Sequence, residues 1–218
     1  MQTQKYAIFD LEIIKAIPPK DEADRIPGIE YCAGWGDFKN MGISCISFCE
    51  LVLQGDRALE HESYCWEWNL AYDVSEQIQA LREEGYLIGG FNSKKFDDNL
   101  LQANGYNHEN GIHFTSDFDI LEWTIAAANL EGVKYWEMDP KRSYSLDAIT
   151  KANGSEKTGK GDLAAIWWQK GSKQKVLDYC KNDAEIEAEV LRLLLGGKLK
   201  DPNTGEMLRY PSIESLIV

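Results

Sequence analysis

The sequence predicts an α/β fold, a mixed central β-sheet flanked by α-helices, within one domain. Three observations lead there. Strand-like segments come first and in a block, as KYAIFDLEII, MGISCISFCELVL and ALEHESYCWEW. Helix-like and strand-like segments then alternate down to residue 195 or so. No repeat or low-complexity linker divides the chain, and 218 residues suffice for one full core.

Each element has its own signal. KYAIFDLEII is a short apolar run holding two acids, as expected of a central strand. Residues 16–40 contain Pro18, Pro19 and Pro27 with three glycines and read as a loop excursion. The next two strands are separated by Gln54-Gly55-Asp56-Arg57, a turn that would make them a hairpin. DVSEQIQALREEGY is a helix capped by Asp73 or Ser75, with Ile78 and Leu81 inward. LIGGFN is a strand ending in glycines, and KKFDDNLLQANG a helix closed by Gly105. HFTSDFDILEWTIAAAN turns from strand to helix, and YSLDAITKANG is a short helix before a Gly/Lys-rich loop. SKQKVLDYCKNDAEIEAEVLRLLL carries its apolar residues at helical spacing, marking a long amphipathic helix with room for one break. The tail 196–218 holds a Pro-Asn-Thr-Gly turn and is a candidate β-hairpin appended to a core of about 5–195.

Composition narrows the class. The chain is 44% hydrophobic and 27% charged, ordinary for a soluble globular protein. No apolar run reaches the roughly 20 residues of a membrane span, and the N-terminus lacks a secretory layout, so no membrane partner and a cytoplasmic location are expected. Five cysteines, with no Cys-x-x-Cys pair, are expected to be reduced and mostly buried. A net charge of −13 argues against a general nucleic-acid coat. From Lys141 to Lys181, however, nine Lys/Arg face four Asp/Glu, a local excess of five positive charges. That strip suits either a phosphate backbone or a solvated helix face.

Three acidic positions carry the chemistry. Asp10 and Glu12, two apart on a strand, project from the same face. Two neighbouring buried anions repel, and a hard divalent cation such as Mg²⁺ or Mn²⁺ relieves the cost; a strand end in water would need no ion. Asp97 and Asp98 fall where a strand passes into a helix, a place where ligands gather and where acids also simply cap helices. Tyr179 and Asp183 are four apart on the long helix and share a face, as a site or as a surface pair.

In combination, Asp-x-Glu on the first strand, Asn-x-x-x-Phe-Asp after a middle strand and Tyr-x-x-x-Asp on the last long helix resemble the DEDD (DnaQ-like) 3′–5′ exonuclease family. The match is to its DEDDy branch, and most similar are the proofreading exonuclease domains of family B DNA polymerases. The other branch needs a histidine five residues before the final aspartate, where this chain has Asp178. The resemblance spans about residues 5–195. It implies a ribonuclease H-like fold and a single exonuclease domain, 1–218. The implied activity is metal-dependent hydrolysis from the 3′ end of single-stranded DNA, releasing 5′-mononucleotides.

The resemblance further implies two divalent ions, Mg²⁺ or Mn²⁺. Asp10 would bridge both, Glu12 and Asp183 would share the ion that carries the attacking water, and Asp97 would help place the other. Tyr179 would orient that water. Leu11, Asn92 and Phe96 would hold the terminal nucleotide, although Phe96 also suits core packing. Lys157, Lys160, Lys170 and Lys173 are candidates for phosphate contacts. Only the Phe-Asp match selects Asp97 over Asp98. No polymerase domain follows, so a separate polymerase or another replication or repair protein is an expected partner. The alternatives are a 3′–5′ exoribonuclease and an idle DEDD-like module that binds nucleic acid or protein.

Overall fold

A computed structural model describes residues 3–68, 74–104, 114–128, 142–155 and 161–208. Five strands form one sheet: β1 (Thr3–Ile13), β2 (Ile43–Gln54), β3 (Arg57–Glu67), β4 (Tyr86–Gly90) and β5 (Phe118–Asp119), in the order β3-β2-β1-β4-β5. β1 is central, antiparallel to β2 and parallel to β4, so the sheet is mixed as expected. The β2–β3 turn keeps only Gly55 and Asp56 outside the Gln54↔Arg57 pair. Gly55 has φ +67°, which a hairpin turn with glycine first requires.

Seven helices flank the sheet among the described residues: α1 (Phe38–Met41), α2 (Val74–Glu83), α3 (Asp97–Ala103), α4 (Ile120–Ala127), α5 (Leu146–Ala152), α6 (Ala164–Gln169) and α7 (Lys173–Leu195). α7 runs unbroken for 23 residues, without the break the sequence allowed. Its interior has neither proline nor glycine to force one. Asp73, Gly105, Lys157 and Lys160 lie outside the described residues. The α3 C-cap is Asn104, whose backbone N–H donates to Leu100 and Leu101.

β1 separates two cores. Its residues Ala7, Phe9, Leu11 and Ile13 join Ile46, Phe48, Ile78, Ile88, Leu100 and Leu101 on one face. Tyr6 and Ile8 join Ala184, Ala188, Leu191 and Leu194 on the other. This is the period-2 alternation of a strand buried on both sides. Asp10 and Glu12 continue the second register, the face that α7 covers.

The 16–40 excursion is held in place. Ala16 bridges Tyr31, and the Gln169 side chain donates to Ile14 O at 2.8 Å and Glu30 O at 3.0 Å while accepting from Glu30 N at 2.7 Å. The tail forms one antiparallel bridge, Lys200↔Met207.

Candidate metal centre

The carboxyl end of β1 outruns its neighbour. β4 pairs with β1 only as far as Ile8↔Gly89, whereas Asp10, Glu12 and Ile13 pair with β2. A register shift between Glu12 and Ile13 ends the regular ladder, the kind of irregularity that re-aims side chains at a strand end. The β4–α3 connection fills the space beside this overhang. Gly90 permits the close approach, since a Cβ there would lie 2.5 Å from Phe9 O.

One oxygen each from Asp10, Glu12 and Asp183 lies within 4.8 Å of the others. β1 supplies two and α7 the third. α7 is pinned over them, because the Ser47 hydroxyl on β2 donates to Cys180 O at 3.0 Å. Such a group of oxygens suits a hard divalent cation.

The two adjacent aspartates of α3 differ sharply. Asp98 accepts from Ser116 Oγ at 2.7 Å and Ser116 N at 2.9 Å, which makes it a structural tie. Asp97 is 5% exposed, and its Oδ1 is buried with no hydrogen-bond partner among the described residues. Burial, then the charges of Asp10 and Asp98, pushes the Asp97 carboxyl well above the usual carboxylate range. An anionic oxygen so placed is costly unless a cation completes it. The residues present therefore fit a metal, and of the two aspartates Asp97 is the one left without a hydrogen bond at Oδ1 among the described residues and pressed by the charge of Asp10.

A fifth carboxylate, Glu187, is absent from the sequence reading. It stands four residues after Asp183 on α7, a helical spacing that was legible. Its Oε2 accepts from Phe91 N at 2.9 Å and ties α7 to the β4–α3 connection. Burial, then Asp10 and Asp97, raises its pKa well above the ordinary value. Asp119 orders the same connection by accepting from Asn92 N at 3.1 Å and Lys94 N at 3.2 Å while capping α4.

Tyr179 is buried and faces the centre. Burial, then Asp183 and Glu12, raises its phenol far above the ordinary value, so it keeps its proton at neutral pH. Trp167 packs edge-on against it at 6.0 Å, and a Cβ at Gly161 would lie 3.7 Å from its hydroxyl.

The remaining expected contacts are divided. Asn92 has φ +61°, the one non-glycine in the left-handed region among the described residues, a conformation asparagine tolerates. Its carbonyl accepts from Lys95 N and Phe96 N, shaping the turn into α3. Phe96 is half-buried against Trp35 at 5.9 Å and Phe38 at 5.7 Å. Trp35 itself is 70% exposed, so the excursion presents an aromatic face beside the residue that precedes Asp97. Leu11 lies on the other face of β1. At 4% exposure it packs with Phe9 and Ile13 on the face opposite Asp10 and Glu12, because strand alternation turns it away. Lys173 Nζ lies 2.6 Å from Glu67 Oε2 and over the Trp168 ring. Lys170 is exposed at the C-cap of α6.

All five cysteines are free, with Cys65 half-buried and the others buried. No helix among the described residues is long and apolar enough to cross a membrane.

No family model matches the chain, and no curated protein matches it. Among solved structures it is similar to a product-bound exonuclease I, at 18% identity and a TM-score of 0.40, over 82% of this chain and 46% of that one. It is similar to E. coli exonuclease I in complex with a 5cy-dT13 oligonucleotide, at 18% identity and 0.39, over 82% and 43%. It is also similar to the zinc-ion-bound form of the E. coli ExoI–ssDNA complex, at 16% identity and 0.42, over 81% and 42%. The chain thus spans less than half the length of each of these proteins.

Proposed function

We propose that this chain is a metal-dependent 3′–5′ exonuclease of the DEDDy type, acting on single-stranded DNA and releasing 5′-mononucleotides. The observation that carries the reading is the convergence of Asp10, Glu12 and Asp183 within 4.8 Å, beside the buried Oδ1 of Asp97, which has no hydrogen-bond partner among the described residues. Asp10, Glu12, Asp97 and Asp183 would hold two divalent ions, Mg²⁺ or Mn²⁺. Bound hard cations supply the positive charge that the attacking and leaving oxygens of a phosphodiester require.

The chain's own groups do the rest. Tyr179 stays protonated and donates a hydrogen bond that orients the attacking water. Glu187 holds α7 against the β4–α3 connection, keeping Asp183 and Asp97 in one place. Trp35 and Phe96 offer ring faces to the terminal base, a grip that tolerates any sequence and favours single strands. Lys175, stacked over Trp167 at 3.6 Å, sets a cation beside the ring that touches Tyr179. The domain would work in the cytoplasm alongside a polymerase or another replication or repair protein.

The test is a 5′-labelled DNA strand and its RNA counterpart, each incubated with Mg²⁺, Mn²⁺ or EDTA. A DNA ladder shortening from the 3′ end with metal supports the reading. Shortening of RNA alone reassigns the substrate to RNA. An intact pair of strands at high enzyme leaves a binding module.

A further inference from the structure

Beside the carboxylates, on the same sheet face, lies a second cluster of ligand atoms that the nuclease reading does not use. Cys45 stands opposite Glu12 in the β1–β2 ladder, and Cys65 stands opposite Ser47 in the β2–β3 ladder. Directly paired residues of antiparallel strands share a face, so Glu12, Cys45, Ser47 and Cys65 all project toward α7. Cys180 comes down from α7 to meet them. Its Sγ is 3.3 Å from Ser47 Oγ and 3.4 Å from Asp10 O. The three sulfurs lie within 4.8 Å of one another.

We propose that Cys45, Cys65 and Cys180 form a second metal site, which takes one thiophilic divalent ion of the zinc class. Zinc–thiolate bonds of about 2.3 Å set tetrahedral sulfurs roughly 3.8 Å apart. The cluster therefore needs to tighten by no more than about an ångström. Binding exchanges three S–H protons, released to solvent, for three metal–sulfur bonds. A divalent ion leaves the site with a single net negative charge; a monovalent one would leave two beside an already acidic centre. The fourth position falls to Ser47 Oγ or to water entering past half-buried Cys65.

Ligand softness keeps the two sites distinct. Oxygen ligands hold Mg²⁺ or Mn²⁺, while thiolates select zinc-class ions. The thiol site joins β2, β3 and α7 through the residue that follows Tyr179. An ion there would fasten α7 to the sheet a few ångströms from the carboxylates and stabilise the fold by mass action. The proposal stands whether or not the carboxylate centre cleaves nucleic acid.

Cadmium is the probe, because thiolate-to-cadmium charge transfer absorbs in the ultraviolet and carboxylates give no such band. The reduced full chain, titrated with Cd²⁺, should develop that band and saturate at one equivalent. Zn²⁺ in large excess should compete with Cd²⁺ for the site, and the same excess of Mg²⁺ should not. Cys65→Ser and Cys65→Ala, at a half-buried position that tolerates change, should each weaken binding at least tenfold. Cys32→Ser, remote from the cluster, should leave it unchanged. No band at several equivalents of Cd²⁺, a band that Mg²⁺ abolishes, or a band equal in both Cys65 variants would overturn the proposal.

Discussion

The two faces of β1 treat neighbouring residues in opposite ways. Phe9 and Leu11 enter a core shared with Ile46, Phe48, Ile78 and Leu100. Asp10 and Glu12, one step along the same strand, enter a pocket where acids face acids beneath α7. Burying Phe9 and Leu11 lowers the free energy of the fold, whereas burying Asp10 and Glu12 beside other acids raises it. α3 repeats the contrast within one peptide bond. Asp98 is satisfied by Ser116, whereas the Asp97 Oδ1 is not satisfied by any described residue. Burial alone does not mark a functional residue here. Burial with incomplete hydrogen bonding, next to like charge, is what sets Asp97 apart from Asp98.

Substitutions on the two faces should therefore separate activity from stability. Phe9→Ala should cost about 3–5 kcal/mol, as for other large buried aromatics, and should leave the activity per folded molecule intact. Asp10→Ala should lower cleavage at least about a hundredfold, since a charge-stabilising ligand is lost, with little change in the melting of the chelated protein. Denaturant titration and initial rates on the same preparations make the comparison. Loss of activity in Phe9→Ala at full folding would merge the two faces.

The adjacent aspartates sharpen it further. Asp98→Ala should lower stability by about 1–3 kcal/mol, because the Ser116 donors lose their acceptor. Asp97→Asn should raise the melting temperature of the metal-free protein at neutral pH while abolishing cleavage. The first effect follows from removing a carboxyl whose burial must be met by taking up a proton at neutral pH, and the second from removing a ligand.

The raised pKa values of Asp97 and Glu187 give a pH dependence of definite sign. The metal-free folded state keeps protons that the unfolded chain has released. Stability should then fall as pH rises from the ordinary carboxylate range toward neutrality. Mn²⁺ should oppose that fall most strongly at the high-pH end. Melting curves across pH, with chelator and with Mn²⁺, read both slopes.

The smallest effect concerns the aromatic face. Trp35→Ala removes an exposed ring and should leave stability unchanged. Losing a stacked base costs about 1 kcal/mol at the low end, so KM for single strands should rise roughly fivefold.

Much of this organisation could be read from spacing. Asp10 with Glu12, and Tyr179 with Asp183, follow from the periods of strand and helix, and Glu187 extends the second by one more interval of four. The departures have physical causes. The alternation that aims Asp10 and Glu12 at α7 aims Leu11 away from it, so a residue between two ligands on a strand belongs to the other core. The Phe-Asp match already selects Asp97 over Asp98, whereas the Ser116 donors that tie down Asp98 come from elsewhere along the chain. The meeting of Cys45, Cys65 and Cys180 depends on strand register and helix placement, which sequence spacing does not encode. Trp35 lies in an excursion without periodicity, so its packing on Phe96 had no sequence signal.

The most direct test follows a 5′-labelled single-stranded DNA in Mn²⁺ with wild type, Asp97→Asn and Asp98→Asn side by side. The expected result is a ladder shortening from the 3′ end with wild type and Asp98→Asn, abolished by EDTA and absent with Asp97→Asn. Intact DNA with wild type, or equal cleavage by Asp97→Asn, would contradict the assignment of this carboxylate cluster as a metal-dependent nuclease centre.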